Sequence, residues 1–127
     1  MKLPDEARLK RGRAAVIECL DGACSVCLSA CGFSAIRREN GLPYSDPNRC
    51  VGCGGCASAC PEGRIRLFKD RGEGELEVTL AYDGEVLPEI DDILPDGSRV
   101  IQAIPKRPGT KHALLRVVVN KEKFLKE

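Results

Sequence analysis

The sequence predicts an α+β fold: a pseudo-symmetric repeat of two strand–helix–strand halves, followed by a small antiparallel β unit. Three observations lead there. All eight cysteines lie between residues 19 and 60, in two runs, Cys19-x4-Cys24-x2-Cys27-x3-Cys31 and Cys50-x2-Cys53-x2-Cys56-x3-Cys60. Extended, β-prone stretches flank both runs, which is the mark of one supersecondary unit used twice. Beyond residue 70 cysteine disappears and apolar residues alternate with polar ones, as half-buried strands require.

The elements follow in order. Residues 1–12 read as a polar leader, 13–70 as the thiol-rich repeat, and 71–127 as the β extension with a charged tail. Arg13–Glu18 carries β-branched residues and reads as a strand. Cys24–Cys31, with small residues between its thiols, fits one or two turns of helix. Phe33–Ile36 reads as a strand and Arg37–Gly41 as a turn. The order then recurs, with an extended Leu42–Asn48, a thiol loop, a helix near Gly55–Cys60 and a strand at Ile65–Phe68. Asp70–Gly74 reads as a flexible joint. Glu75–Tyr82 alternates and meets the turn signal Asp83-Gly84. Arg99–Ile104 and His112–Val119 are further strands, separated by the loop Pro105–Gly109, and Lys121–Glu127 is a charged tail or short helix.

Composition narrows the function. The 127 residues are 43% hydrophobic but only 4% aromatic, with no Trp, so the core must come from Val, Leu, Ile and Ala. A chain of this length leaves much surface exposed, the regime in which covalent or metal staples help most. The 20 basic and 19 acidic residues give a net charge of +1, and no global field is present to attract nucleic acid or an anionic membrane. The first twenty residues lack the apolar run and small-residue cleavage site of a secretory signal, and no stretch approaches a membrane span. The expected location is the cytoplasm, where thiols stay reduced, and eight cysteines there point to metal rather than to disulfides. Three Asn, one Gln and one Met against abundant Lys, Arg and Glu lean towards a thermophile.

The spacing of the second run, closed by Pro61, matches the bacterial iron–sulfur pattern in which the fourth thiol ligates the other cluster of a pair. Two-residue gaps in a tight loop let three thiolates converge on one cubane. A helical turn carries the fourth away. Gly52, Gly54 and Gly55 suit a loop that needs positive φ or Cβ-free positions. Carried through the repeat, cluster A takes Cys19, Cys24, Cys27 and Cys60, and cluster B takes Cys50, Cys53, Cys56 and Cys31. Without Cys19, cluster A would have three thiolates, which leaves room for a three-iron cluster.

Over residues 13–70 these motifs resemble the dicluster bacterial ferredoxins. The resemblance implies the ferredoxin fold around two [4Fe-4S] clusters. Gly32 stands where that pattern has proline after the fourth cysteine, Arg64 replaces a small residue, and the balanced charge differs from the acidic free carriers. Gly12–Cys19 with the long first gap, Cys31-x-Phe-x-Ala-Ile36 and the β extension are similar to a narrower group. These are the small ferredoxin-like subunits associated with FAD-dependent amine or proline-type dehydrogenases. That similarity implies FAD-containing partner chains in a hetero-oligomer and single-electron relay from their flavin, with no catalytic residue in this chain.

Two other readings stay open: a free soluble ferredoxin, and a zinc-stapled interaction module. Structural zinc uses separated thiol pairs, unlike two triplets with a crossed fourth. His112 is the only histidine, which excludes a Rieske centre. It reads as a solvated loop or strand-edge residue without a catalytic partner. Phe33, Phe68 and Tyr82 read as packing aromatics. Glu18, Asp21, Arg37, Arg38, Lys106 and Arg107 read as solvated charges. No hydrolytic triad, phosphate loop or nucleotide fingerprint is present.

Overall fold

Helix α1 (Glu6–Arg11) occupies part of the stretch expected as a polar leader. In this computed structural model, which describes residues 3–19, 26–108 and 110–126, Asp5 caps it by accepting the Arg8 backbone N–H at 2.9 Å, and Lys10 pairs with Glu6 one turn away. The helix is no leader: Arg8 and Leu9 are both buried.

Five short elements make up the thiol-rich part: β1 (Ala14–Ile17), α2 (Val26–Ala30), β2 (Ile36–Glu39), β3 (Leu42–Ser45) and α3 (Gly55–Ala59). β2 and β3 pair antiparallel through a two-residue turn at Asn40-Gly41, where φ is 52° and 80°. Two successive positive φ values are what a type I′ turn requires, and Asn-Gly meets that need. The turn expected over Arg37–Gly41 is therefore shorter, with Arg37–Glu39 in β2. The strand expected from Phe33 starts only at Ile36, because Ser34 adopts φ 54° and breaks the extended run.

Four long elements follow: β4 (Ile65–Gly72), β5 (Glu75–Tyr82), β6 (Arg99–Ile104) and β7 (Ala113–Asn120), before helix α4 (Lys121–Lys126). The joint expected at Asp70–Gly74 is instead the turn of a hairpin. β4 runs through residue 70, and β5 pairs back along it with a register shift between Asp70 and Gly72. The extension is thus continuous with the repeat, in one antiparallel sheet of order β1-β4-β5-β7-β6.

Alternate residues of a strand point to opposite faces, so this sheet separates two cores. One face carries Phe68, Leu76, Val78, Val100, Leu115 and Val117, covered by Leu9 of α1 and Phe124 of α4. The Phe68 and Phe124 ring centroids lie 5.7 Å apart. The other face contributes Ile65, Leu67 and Leu114 to a second core with Ala15, Ile36, Ala57 and the thiols of Cys27, Cys56 and Cys60. One residue step, from Leu67 to Phe68, moves from the thiol core to the aliphatic one.

Candidate metal centre

The Cys50–Cys60 loop is shaped by two glycines. Gly52 has φ +75°, and a Cβ there would lie 2.6 Å from Arg13 Cβ and 2.7 Å from the Arg13 carbonyl oxygen. Gly54, with φ +84°, is the N-cap of α3, and a Cβ there would press on Leu114 of the extension. Only a residue without a side chain meets both demands. Gly55 is not in the left-handed region, and a Cβ there would make ordinary contacts.

Cys31, Cys50, Cys53 and Cys56 line one cavity. Ala15 of β1, Ile36 of β2, Ser45 of β3 and Leu67 of β4 close its walls, so each of the first four strands contributes. Cys56 is buried, Cys31 and Cys50 are half-buried, and Cys53 is exposed at the rim beside exposed Phe33 and Val51. Burial pushes the Cys56 thiol up to about 12, and the neighbouring thiols of Cys50, Cys53 and Cys31 add to the effect. Four thiolates cannot ionise together in such a pocket unless a positively charged group joins them. The same donor set therefore suits a metal cluster.

The sulfurs also meet backbone donors. The N–H groups of Ala15, Ala35 and Arg64 point to Cys50 Sγ, Cys31 Sγ and Cys60 Sγ, each at 3.4 Å. Cys31 and Cys60 are held alike. Each donates its own N–H one turn back, to the Cys27 and Cys56 carbonyls, and each accepts at sulfur from the residue four positions on. Ser45 Oγ is buried and has no hydrogen-bond partner among the described residues. An unpartnered hydroxyl at the wall of a thiol cavity is what a sulfur-bearing group would satisfy. Among the described residues, no three His, Cys, Asp or Glu side chains converge on a single metal ion. The thiols are instead spread around the cavity.

The set assigned to cluster A is only partly visible. Cys27 and Cys60 share the buried thiol core, Cys19 is half-buried at the end of β1, and Cys24, like Asp21, lies outside the described residues. Glu18 is exposed as expected and also pairs with Arg66, and its N–H bonds the Arg64 carbonyl at 2.9 Å. Arg37 is engaged by Glu39 and Asp46 and lies over the Tyr44 ring.

His112 corrects the expectation of a solvated residue. It is buried, its Nδ1 meets Asp83 and its Nε2 faces the Pro61 carbonyl at 3.3 Å. The N–H groups of Lys111 and His112 both reach the Ser58 carbonyl, at 2.8 and 3.2 Å. The extension therefore grips the end of α3, the helix that carries Cys56 and leads into Cys60. Sequence reasoning also missed Arg8. Its signal was Pro4-Asp5 ahead of the helix-forming run Glu6–Arg11, a helix start placed inside the stretch taken as a leader.

Comparison with known proteins agrees with this chemistry. Residues 42–65 match the model of the 4Fe-4S binding domain family. An uncharacterized ferredoxin of Methanocaldococcus jannaschii is 40% identical over 62 residues, which cover 49% of this chain and 37% of that protein. Subunit I of the NADH-quinone oxidoreductase of Pelobacter propionicus is 26% identical, across 86% of this chain and 66% of its own length. One component of the Na(+)-translocating ferredoxin:NAD(+) oxidoreductase complex of Acetobacterium woodii is 42% identical over 48 residues, 37% of this chain and 14% of that one. The chain spans less than half of the M. jannaschii ferredoxins it matches. No solved structure matches it. No helix among the described residues is long and apolar enough to cross a membrane. With its thiols around one cavity and this domain match, the chain binds [4Fe-4S] clusters as cofactors, and the proteins it is similar to are ferredoxins and electron-transport subunits.

Proposed function

We propose that the chain relays single electrons inside a multi-subunit oxidoreductase. Two [4Fe-4S] clusters are held in crossed fashion, one by Cys31, Cys50, Cys53 and Cys56 and the other by Cys19, Cys24, Cys27 and Cys60. The observation that carries this reading is the cavity lined by the first four thiols. Four thiols lining one cavity from two cysteine runs, unlike the separated pairs of structural zinc sites, support a multi-iron group over a zinc ion. The matching contacts of Cys31 and Cys60 support a two-half repeat in which the last cysteine of each run plays the same part. When bound, the clusters supply the redox chemistry.

The protein's own share is to hold and tune. Backbone N–H groups at Cys31, Cys50 and Cys60 favour the reduced, more negative state. Ser45 Oγ supplies a further donor. The aliphatic walls Ile36 and Leu67 keep water from the buried side. Exposed Cys53, framed by exposed Phe33 and Val51, gives a redox partner its shortest approach.

The subunit reading draws support from two of the relatives, whose names are those of oxidoreductase subunits. A second support is the β5–β6 connection, where Val86, Ile90 and Ile93 are 81%, 64% and 64% exposed. Three large aliphatic side chains left in water on one loop favour contact with another chain. The likeness to subunits of FAD-dependent dehydrogenases makes a flavoprotein the proposed donor. The test is anaerobic purification of the tagged protein from its native host, with identification of each co-eluting chain. A stoichiometric FAD-binding dehydrogenase is the expected result. A brown protein eluting alone means a free ferredoxin, and a colourless zinc protein means an interaction module.

A further inference from the structure

Arg8 is 8% exposed, yet it has no ion-pair partner among the described residues; its guanidinium is surrounded by carbonyl oxygens alone. Nε donates to Pro47 O, Nη1 to Gly12 O at 2.9 Å, and Nη2 to Arg13 O at 3.0 Å and Cys50 O at 2.7 Å. The nearby Arg13 differs, because its charge is cancelled by the buried carboxylate of Glu77. A buried cation without a counter-ion is costly, and four carbonyl dipoles offset only part of that cost. The missing negative charge has an obvious location. Cys50, whose carbonyl Arg8 holds, lines the cavity with three other thiols, and a cluster bound by four thiolates is an anion.

We propose that Arg8 is the internal counter-charge of the cluster held by Cys31, Cys50, Cys53 and Cys56, and that it raises the reduction potential of that cluster. The inference rests on the cluster reading above. Each reduction adds one negative charge near a guanidinium that is itself buried and bonded to the Cys50 carbonyl, where water screens the interaction less than at the surface. The positive charge therefore stabilises the reduced form more than the oxidised one. Arg8 acts through space and through the Cys50 backbone, touching neither iron nor sulfide, so it is a positioning residue. The same contacts explain why α1 is folded against the thiol loop. A guanidinium with five donors satisfies four carbonyls from two separate segments, residues 12–13 and 47–50, which a lysine cannot do.

The test is redox titration of the whole chain with both clusters in place, comparing Arg8→Gln and Arg8→Lys with the native protein, with iron counted in each sample. Arg8→Gln is expected to lower the reduction equilibrium constant of one cluster about tenfold, about 59 mV for a one-electron couple, and to leave the other unchanged. Arg8→Lys, which keeps the charge and loses most carbonyl contacts, is expected to stay within about threefold of native. Iron retained with both potentials unmoved in Arg8→Gln would overturn the proposal and leave the cluster reading intact. Equal shifts in the two variants would make Arg8 a staple only. Should Arg8→Gln lose its iron, the lysine variant decides alone: a native-like potential supports the counter-charge, and a shift of tenfold or more sinks it. Native protein without iron would remove the cluster reading itself.

Discussion

The two cores on either side of the sheet are built on different principles. The aliphatic one joins strands of six to eight residues through Phe68, Leu76, Val78, Val100, Leu115 and Val117. The thiol core joins elements of four or five residues through alanine, isoleucine and cysteine. Helices as short as α2 and α3 are not stable by themselves, since ~12–15 residues are needed even for good helix formers. Their order must come from the sheet beneath them and from what their sulfurs bind. One half of the molecule is stable through apolar burial, and the other is expected to depend on ligation.

Removing metal should break that symmetry most. After chelation under reducing conditions, backbone amides in α2, α3 and the β2–β3 hairpin should lose most of their protection from hydrogen exchange. Those in β5 and β7 should keep theirs. Uniform loss across the sheet would mean that the two cores fold as one unit. Changes in the aliphatic core should do the reverse. Phe68→Ala should cost about 3–5 kcal/mol in urea unfolding while leaving the visible absorption of the clusters in place. Leu114 lies on the opposite face, among the thiols. Leu114→Ala should cost about 2–5 kcal/mol and also speed bleaching of the clusters, the sharper test of which face serves which core.

How much of this was readable follows from which contacts are local. The thiol spacing is a local pattern, so the loop, the glycines at 52 and 54 and the α3 helix were visible in the sequence. Strand alternation is local as well, and β5, β6 and β7 lie close to their expected positions. The joins were not visible. Asp70–Gly74 carries the polar residues of a linker and the glycines of a hairpin, and only the pairing of Glu75 across to Gly72 decides between them. Arg8 and His112 owe their importance to partners 42 and 51 residues away, and Ser45 to the absence of a partner among the described residues. No window along the chain contains that information.

Smaller changes probe the seam between the halves. His112→Ala removes the contacts to Asp83 and Pro61 and should cost about 1–3 kcal/mol, with faster exchange at the end of α3. At the far corner, Lys121 holds the Asp70 carboxyl below the usual carboxylate range at 2.7 Å, with help from the Gly72 N–H. A carboxyl depressed in the folded state stabilises above its unfolded pKa, and that stability is lost as pH falls through its folded value. Asp70→Asn should therefore flatten the acid limb of the stability profile without touching the clusters. An unchanged limb would mean that other carboxylates set it.

The most direct test of the account is a count of iron and acid-labile sulfide in protein purified without air. The expected result is about eight of each per chain, falling to about four in Cys56→Ser. Zinc without sulfide in the native protein would contradict it. So would a native count near four that Cys56→Ser leaves unchanged, because the thiols around the cavity of Cys31, Cys50, Cys53 and Cys56 would then hold no cluster.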